Sequence, residues 1–138
     1  MLIVFIFVSP RYAKIVKNVI GTELKICSHE PMTGFFRDGF CRTDDNDVGR
    51  HVVACVMTDD FLNFTRSMGN DLITPNPEFG FPGLKEGDKW CVCALRWKEA
   101  HAIGLAPPVI LEATHVKTLE FIDLSILVKM SFSNQDLD

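Results

Sequence analysis

Residues 51–69 constrain this chain's fold more than any other stretch. After His51, the run Val52-Val53-Ala54-Cys55-Val56-Met57 is apolar at every position. An extended strand of that kind has no face left for water and must be covered on both sides. Thr58 follows as a helix N-cap, with Asp59 and Asp60 in the first turn, where the helix dipole favours carboxylates. Phe61, Leu62, Phe64, Thr65 and Met68 then form an apolar helical face, with Asn63, Arg66 and Ser67 opposite, and Gly69 stops the helix. A strand covered on both faces beside a helix with one apolar face requires more elements to complete the core.

The other periodic segments are short. Glu86-Gly87-Asp88 reads as a tight turn into a strand over Trp90–Leu95. A short helix is expected over Trp97–Ile103, stopped by Gly104 and then Pro107-Pro108. Val109–Leu111 reads as a buried strand and Leu119–Ile122 as another short one. A last helix follows, with Leu124, Leu127 and Val128 on its apolar face. Strands and helices mix without a βαβ rhythm. The expectation is an α+β fold: a two-layer sandwich with a small mixed or antiparallel sheet covered by short helices. Val53, Phe61, Phe64, Trp90, Val92 and Ile110 are the expected core. The 138 residues suit one domain spanning 1–138, large enough to hold itself together without staples.

Residues 1–17 form an atypical apolar N-terminal extension. Its run Met1–Val8 is far short of the roughly 20 residues that span a bilayer. No basic residue precedes the run and no clean cleavage site follows it, so an extra strand, or an atypical start to the gene product, is the preferred reading over a signal peptide. A cytoplasmic protein with no membrane span is expected.

The formal net charge is −4 and no segment is strongly basic, which argues against a nucleic-acid partner. There is no Gly-x-Gly-x-x-Gly, P-loop or Gly-x-Ser-x-Gly motif, and no cofactor is expected. The 11 Phe against 1 Tyr suggest rings in the core rather than on a wet recognition surface.

The 5 cysteines are an odd number, scattered at Cys27, Cys41, Cys55, Cys91 and Cys93. That pattern reads as reduced, buried cysteine with no native disulfide. Cys91 and Cys93 share a strand face about 7 Å apart, too far for a relaxed bond. No metal is expected. The weak candidates are Cys41, Cys91 and Cys93, which in a broader set join His51, Cys55 and His115. A cysteine nucleophile would need His51 or His115 beside it.

Two long loops hold the remaining candidates. The first runs from Ser28 to Arg50 and includes Arg37-Asp38 and the acidic run Asp44-Asp45-Asn46-Asp47, which reads as a solvated turn. The second runs from Asn70 to Asp88, and loops of this length are often functional. Arg37, Asp38, Asn70, Asp71 and Arg96 are expected to converge on one partly open pocket, with His51 or His115 near its wall. Such a network is either a binding site for an anionic small molecule or a structural clasp. The first function expected is therefore small-molecule binding between loops 28–50 and 69–88. A Cys/His-based or metal-dependent enzyme and a structural or interaction protein stand as alternatives.

Several runs carry a resemblance. They include Asn18-Val19-Ile20-Gly21-Thr22-Glu23-Leu24, Pro31-Met32-Thr33-Gly34-Phe35-Phe36-Arg37-Asp38-Gly39 and Asp47-Val48-Gly49-Arg50-His51-Val52-Val53. Further along come Gly69-Asn70-Asp71-Leu72, Gly87-Asp88-Lys89-Trp90-Cys91-Val92-Cys93, Arg96-Trp97-Lys98-Glu99-Ala100 and Glu112-Ala113-Thr114-His115. Together, over roughly Asn18 to Met130, the chain resembles the family known as domain of unknown function 2237. The resemblance implies a two-layer α+β sandwich and no particular activity.

Overall fold

The structure, a computed structural model, describes residues 15–132. The apolar run Met1–Val8 lies outside the described residues. Strand β1 (His51–Val56) pairs antiparallel with β2 (Lys89–Cys93) in a two-stranded sheet. Opposed pairs are Val53 with Val92, Ala54 with Cys91, and Cys55 with Trp90; an irregularity between His51 and Val53 then sets His51 opposite Cys93. The α+β expectation holds.

β1 is covered on both faces, as its composition requires. Val53, Cys55, Trp90 and Val92 belong to the main core with Phe61, Trp97 and Leu127. Ala54 and Cys91 join a smaller cluster with Cys27, Cys41 and Ala113. The free edge of β1 carries the chain around Val109: Val56 N–H donates to the Pro108 carbonyl at 3.0 Å, and Ile110 N–H to the Ala54 carbonyl at 2.7 Å. This segment makes isolated bridges from Val109 to Cys55 and to Ser131, not the strand expected over Val109–Leu111.

Helix α1 (Asp59–Ser67) follows its local signals. The Thr58 hydroxyl accepts from Phe61 N–H at 3.1 Å, and Phe61, Leu62 and Thr65 are buried. Met68 is exposed and Phe64 only half-buried, so the buried stripe is narrower than expected. Ile110 is likewise half-buried.

The β2 strand ends earlier than its apolar pattern suggests. Ala94 N–H donates to the Arg50 carbonyl at 3.0 Å, and the chain enters α2 (Ala94–His101) directly after Cys93. Trp97 is fully buried in α2, and its indole N–H donates to the Pro107 carbonyl at 3.0 Å. The stretch expected as a strand near Leu119 is a 3-10 turn over Val116–Glu120. Helix α3 (Leu124–Lys129) buries Leu127. Among the described residues, no helix is long and apolar enough to cross a membrane.

Candidate functional site

A cavity of about 510 Å³ opens between the two long loops, over β2 and the start of β1. That is within the range of small-molecule sites, roughly 300–1,000 Å³. Its apolar wall is aromatic: Phe35 from the first loop, Phe79 and Phe81 from the second, and Trp90 from β2. The expectation that phenylalanine belongs to the core is corrected here. Phe35, Phe36 and Phe79 are exposed, because they sit at loop positions where no second layer closes over them.

Two connections pin the first loop onto β2. The buried Thr33 hydroxyl accepts from Cys91 N–H at 2.9 Å, and a Cys41–Cys91 disulfide ties the far end of the loop to the same residue. Between them the chain turns at Gly34, whose φ of +100° suits glycine and where a Cβ would strike the Phe40 carbonyl. Arg37 N–H and its Nη1 both donate to the Gly34 carbonyl, at 2.9 and 2.8 Å. This folds the guanidinium over Trp90, 5.2 Å from the ring centroid, in cation–π geometry. Among the described residues, Arg37 has no carboxylate partner.

The second loop brings Asn70 and Asp71 to the same cavity. Asn70 is anchored by its amide, which donates to the Thr65 hydroxyl at 3.1 Å. Asp71 Oδ1 accepts from Ile73 N–H at 2.9 Å and Thr74 N–H at 3.0 Å. Hydrogen bonds from the Thr74 side chain and the Thr74 and Ile73 backbone hold its carboxyl below the usual range. Further on, Asn76 and Phe81 exchange backbone hydrogen bonds at 2.8 and 3.0 Å, making a short tongue that carries Phe79 and Phe81.

His51 stands at the start of β1, on the cavity wall, with its ring stacked on Phe35 at 6.4 Å between centroids. Asp47 fixes it: Oδ1 lies 2.6 Å from His51 Nδ1, and Oδ2 accepts from His51 N–H at 2.9 Å. Asp47 is fully buried. Burial raises its pKa, but hydrogen bonds from the His51 backbone and ring outweigh that effect and leave the carboxyl below its ordinary value. An ionised carboxylate only accepts, so the hydrogen between the pair belongs to Nδ1, and in the neutral ring Nε2 carries the lone pair. Asp44 and Asp45 are exposed, as a solvated turn predicts, while Asp47 departs from that reading. Cys93, opposite His51, also lines the cavity, and its thiol donates to the Gly49 carbonyl at 2.7 Å.

A comparison with known protein families matches residues 17–131 to one described as an uncharacterized protein conserved in bacteria, DUF2237. The chain belongs to the DUF2237 family. A comparison with curated proteins gives no match.

Of the residues expected to converge in this DUF2237 chain, Arg37, Asn70, Asp71 and His51 line one cavity. The other three lie elsewhere. Asp38 pairs with Arg42 and accepts from Phe40 N–H, on a separate shallow surface. Arg96 clasps two helices, donating to the Met68 carbonyl at 3.1 Å and Glu99 Oε1 at 3.2 Å. His115 caps the 3-10 turn, with Nδ1 accepting from Lys117 N–H at 2.9 Å. Burial first, and then the Lys117 cation, lower its pKa, against Glu120.

The cysteines also need correction. Cys91 does not bond to Cys93, as their spacing requires, but it does bond to Cys41, so the expectation of no disulfide fails. The partner lies in a loop 50 residues away in sequence, where strand spacing says nothing. The cytoplasmic assignment loses its cysteine argument accordingly. Cys27, Cys55 and Cys93 remain free. Among the described residues, the one group of three metal-ligating side chains is Cys27, Cys41 and Cys91, with ligand atoms within 4.8 Å of one another. Cys93 is not in it, and Cys27 was not singled out by sequence. The bonded sulfurs of Cys41 and Cys91 offer no thiolate, and burial pushes the Cys27 thiol up to about 12, with Lys89 and the Cys55 backbone opposing.

Proposed function

We propose that the cavity binds a small carboxylic acid with a flat apolar body, an arylalkanoate in its simplest form. One observation carries the reading: Arg37 is folded over Trp90 on an aromatic wall and has no carboxylate partner among the described residues. A planar guanidinium donates two parallel hydrogen bonds to a carboxylate. The rings of Phe35, Phe79, Phe81 and Trp90 offer a surface for the apolar part. The other ionisable groups of the wall are already engaged, Asp71 by its turn and His51 by Asp47. They do not neutralise the arginine.

The test is thermal stabilisation by phenylacetate against the neutral analogue phenylacetamide. A ligand at 100 times its Kd adds about 2.7 kcal/mol to stability. Phenylacetate is expected to raise Tm, the amide to act far more weakly, and Arg37→Ala to abolish the difference. Equal effects of acid and amide on the wild type would refute an arginine-bound carboxylate.

A further inference from the structure

We propose that Cys93 is a nucleophile with His51 as its base, and that the cavity hydrolyses an activated ester or thioester of an arylalkanoic acid. The acid released is the ligand class assigned above, so the substrate class rests on that reading. The nucleophile itself stands on separate observations.

First, His51 and Cys93 are directly opposed across the β1–β2 pair and line the same cavity. The pair sits at the irregularity between His51 and Val53, where the ladder ends beside the cavity. Second, Gly49 touches both. Its carbonyl accepts the Cys93 thiol at 2.7 Å, and a methyl on its Cα would stand 2.9 Å from His51 Cε1 and 3.4 Å from Nε2. Gly49 thus lies against both the thiol and the Cε1 corner of the imidazole, between its two nitrogens, and has no side chain to fill the space there. Third, the buried Asp47 takes the Nδ1 hydrogen, so that in the neutral ring Nε2 is the nitrogen able to accept a proton. Asp47 is a positioning residue in this scheme. Fourth, Cys93 is the N-cap of α2, and its side chain makes no capping hydrogen bond. Cys27 and Cys55 are buried and their thiols are pushed up by desolvation, so neither competes as a nucleophile.

The reaction balances with water as the only co-reactant. The Cys93 thiol turns away from the Gly49 carbonyl, and its proton passes to His51 Nε2 as sulfur adds to the carbonyl carbon of the ester. The bond from that carbon to the leaving alcohol or thiol breaks, and the leaving group takes the proton from Nε2. Water then gives a proton to Nε2 as its oxygen adds to the acyl carbon. The carbon–sulfur bond breaks, the acid departs, and sulfur recovers its proton. No atom changes oxidation state.

The experiment uses 4-nitrophenyl phenylacetate with the whole chain, its disulfide intact. The expected result is a burst of one nitrophenolate per protein, with the phenylacetyl group located on Cys93 by peptide mass spectrometry. Cys93→Ser should remove the burst. His51→Ala should slow acylation about 100-fold, the scale of a general base, and added imidazole should restore part of it, which no structural role would allow. Asp47→Asn should lower the acylation rate at saturating ester and leave the half-saturating concentration unchanged. Acylation spread over other residues, a Cys93 that reacts no faster than free glutathione, or a His51→Ala variant that melts like wild type and acylates at its rate would overturn the proposal. Phenylacetate binding by Cys93→Ser is measured in parallel. Binding without acylation removes only the nucleophile, and Cys93-specific acylation without binding removes only the carboxylate site.

Discussion

Asp47, fully buried, holds His51 by both its backbone N–H and its ring, 2.9 and 2.6 Å from the two carboxylate oxygens. The pair joins the end of the first loop to the start of β1. A carboxyl held below its ordinary value stabilises the fold while ionised in both states. That contribution is present above the unfolded value near 3.8 and is lost as pH falls through the lower folded value. Melting temperatures of wild type and Asp47→Asn should therefore differ most at neutral pH and converge in acid. A difference independent of pH would remove the charge from this account.

His115 acts in a higher pH window. Its folded pKa lies below the usual 6.5, because burial and Lys117 disfavour the cation and Nδ1 must stay bare to accept Lys117 N–H. As pH falls below 6.5 the unfolded chain takes up a proton before the folded one, so stability declines until the lower folded value is passed. His115→Asn, which can still accept that hydrogen bond, should flatten the decline. An unchanged slope would contradict the assignment.

The Cys41–Cys91 bond closes a loop of 50 residues in sequence separation. The loop-closure argument gives it about 4 kcal/mol at 25 °C. Alkylation of denatured, unreduced protein should label only Cys27, Cys55 and Cys93, and reduction should lower Tm and loosen the loop that carries Arg37. Five labelled thiols would show that the bond does not form.

Signals that lie within one turn of chain were legible in the sequence. Thr58, the carboxylates after it and Gly69 act on the backbone a few residues away, and α1 begins and ends where they direct. The end of β2 was not legible. Ala94 and Leu95 continue an apolar pattern, but pairing stops where Ala94 N–H meets the Arg50 carbonyl at the end of the partner strand. Asp47 looked like its neighbours Asp44 and Asp45, because nothing local shows which of three carboxylates turns inward. The disulfide and the aromatic wall depend on loops brought together over β2, and neither periodicity nor composition carries that information. Arg37, Asn70, Asp71 and His51 were legible as a group because each lies at an element end or in a long loop. Arg96 has the same signature and serves as a clasp.

That difference between the two arginines can be measured. Arg96→Ala removes a hydrogen bond from α2 to the end of α1 and another within α2, and should cost about 1 kcal/mol. Arg37→Ala removes only a contact within its own loop and a cation–π contact on an exposed side chain, so it should cost less than Arg96→Ala. The reverse order of melting temperatures would make Arg37 a structural residue.

The central claim is that the aromatic cavity takes a small arylalkanoate on Arg37. Titration of isotopically labelled protein with phenylacetate, followed residue by residue by NMR, tests it most directly. Saturable shifts should appear at the Trp90 indole, the Arg37 guanidinium and the amides of Phe35, Asn70 and Phe81, and should be lost in Arg37→Ala. Shifts confined to the Asp38–Arg42 surface, or none at millimolar phenylacetate, would contradict the account.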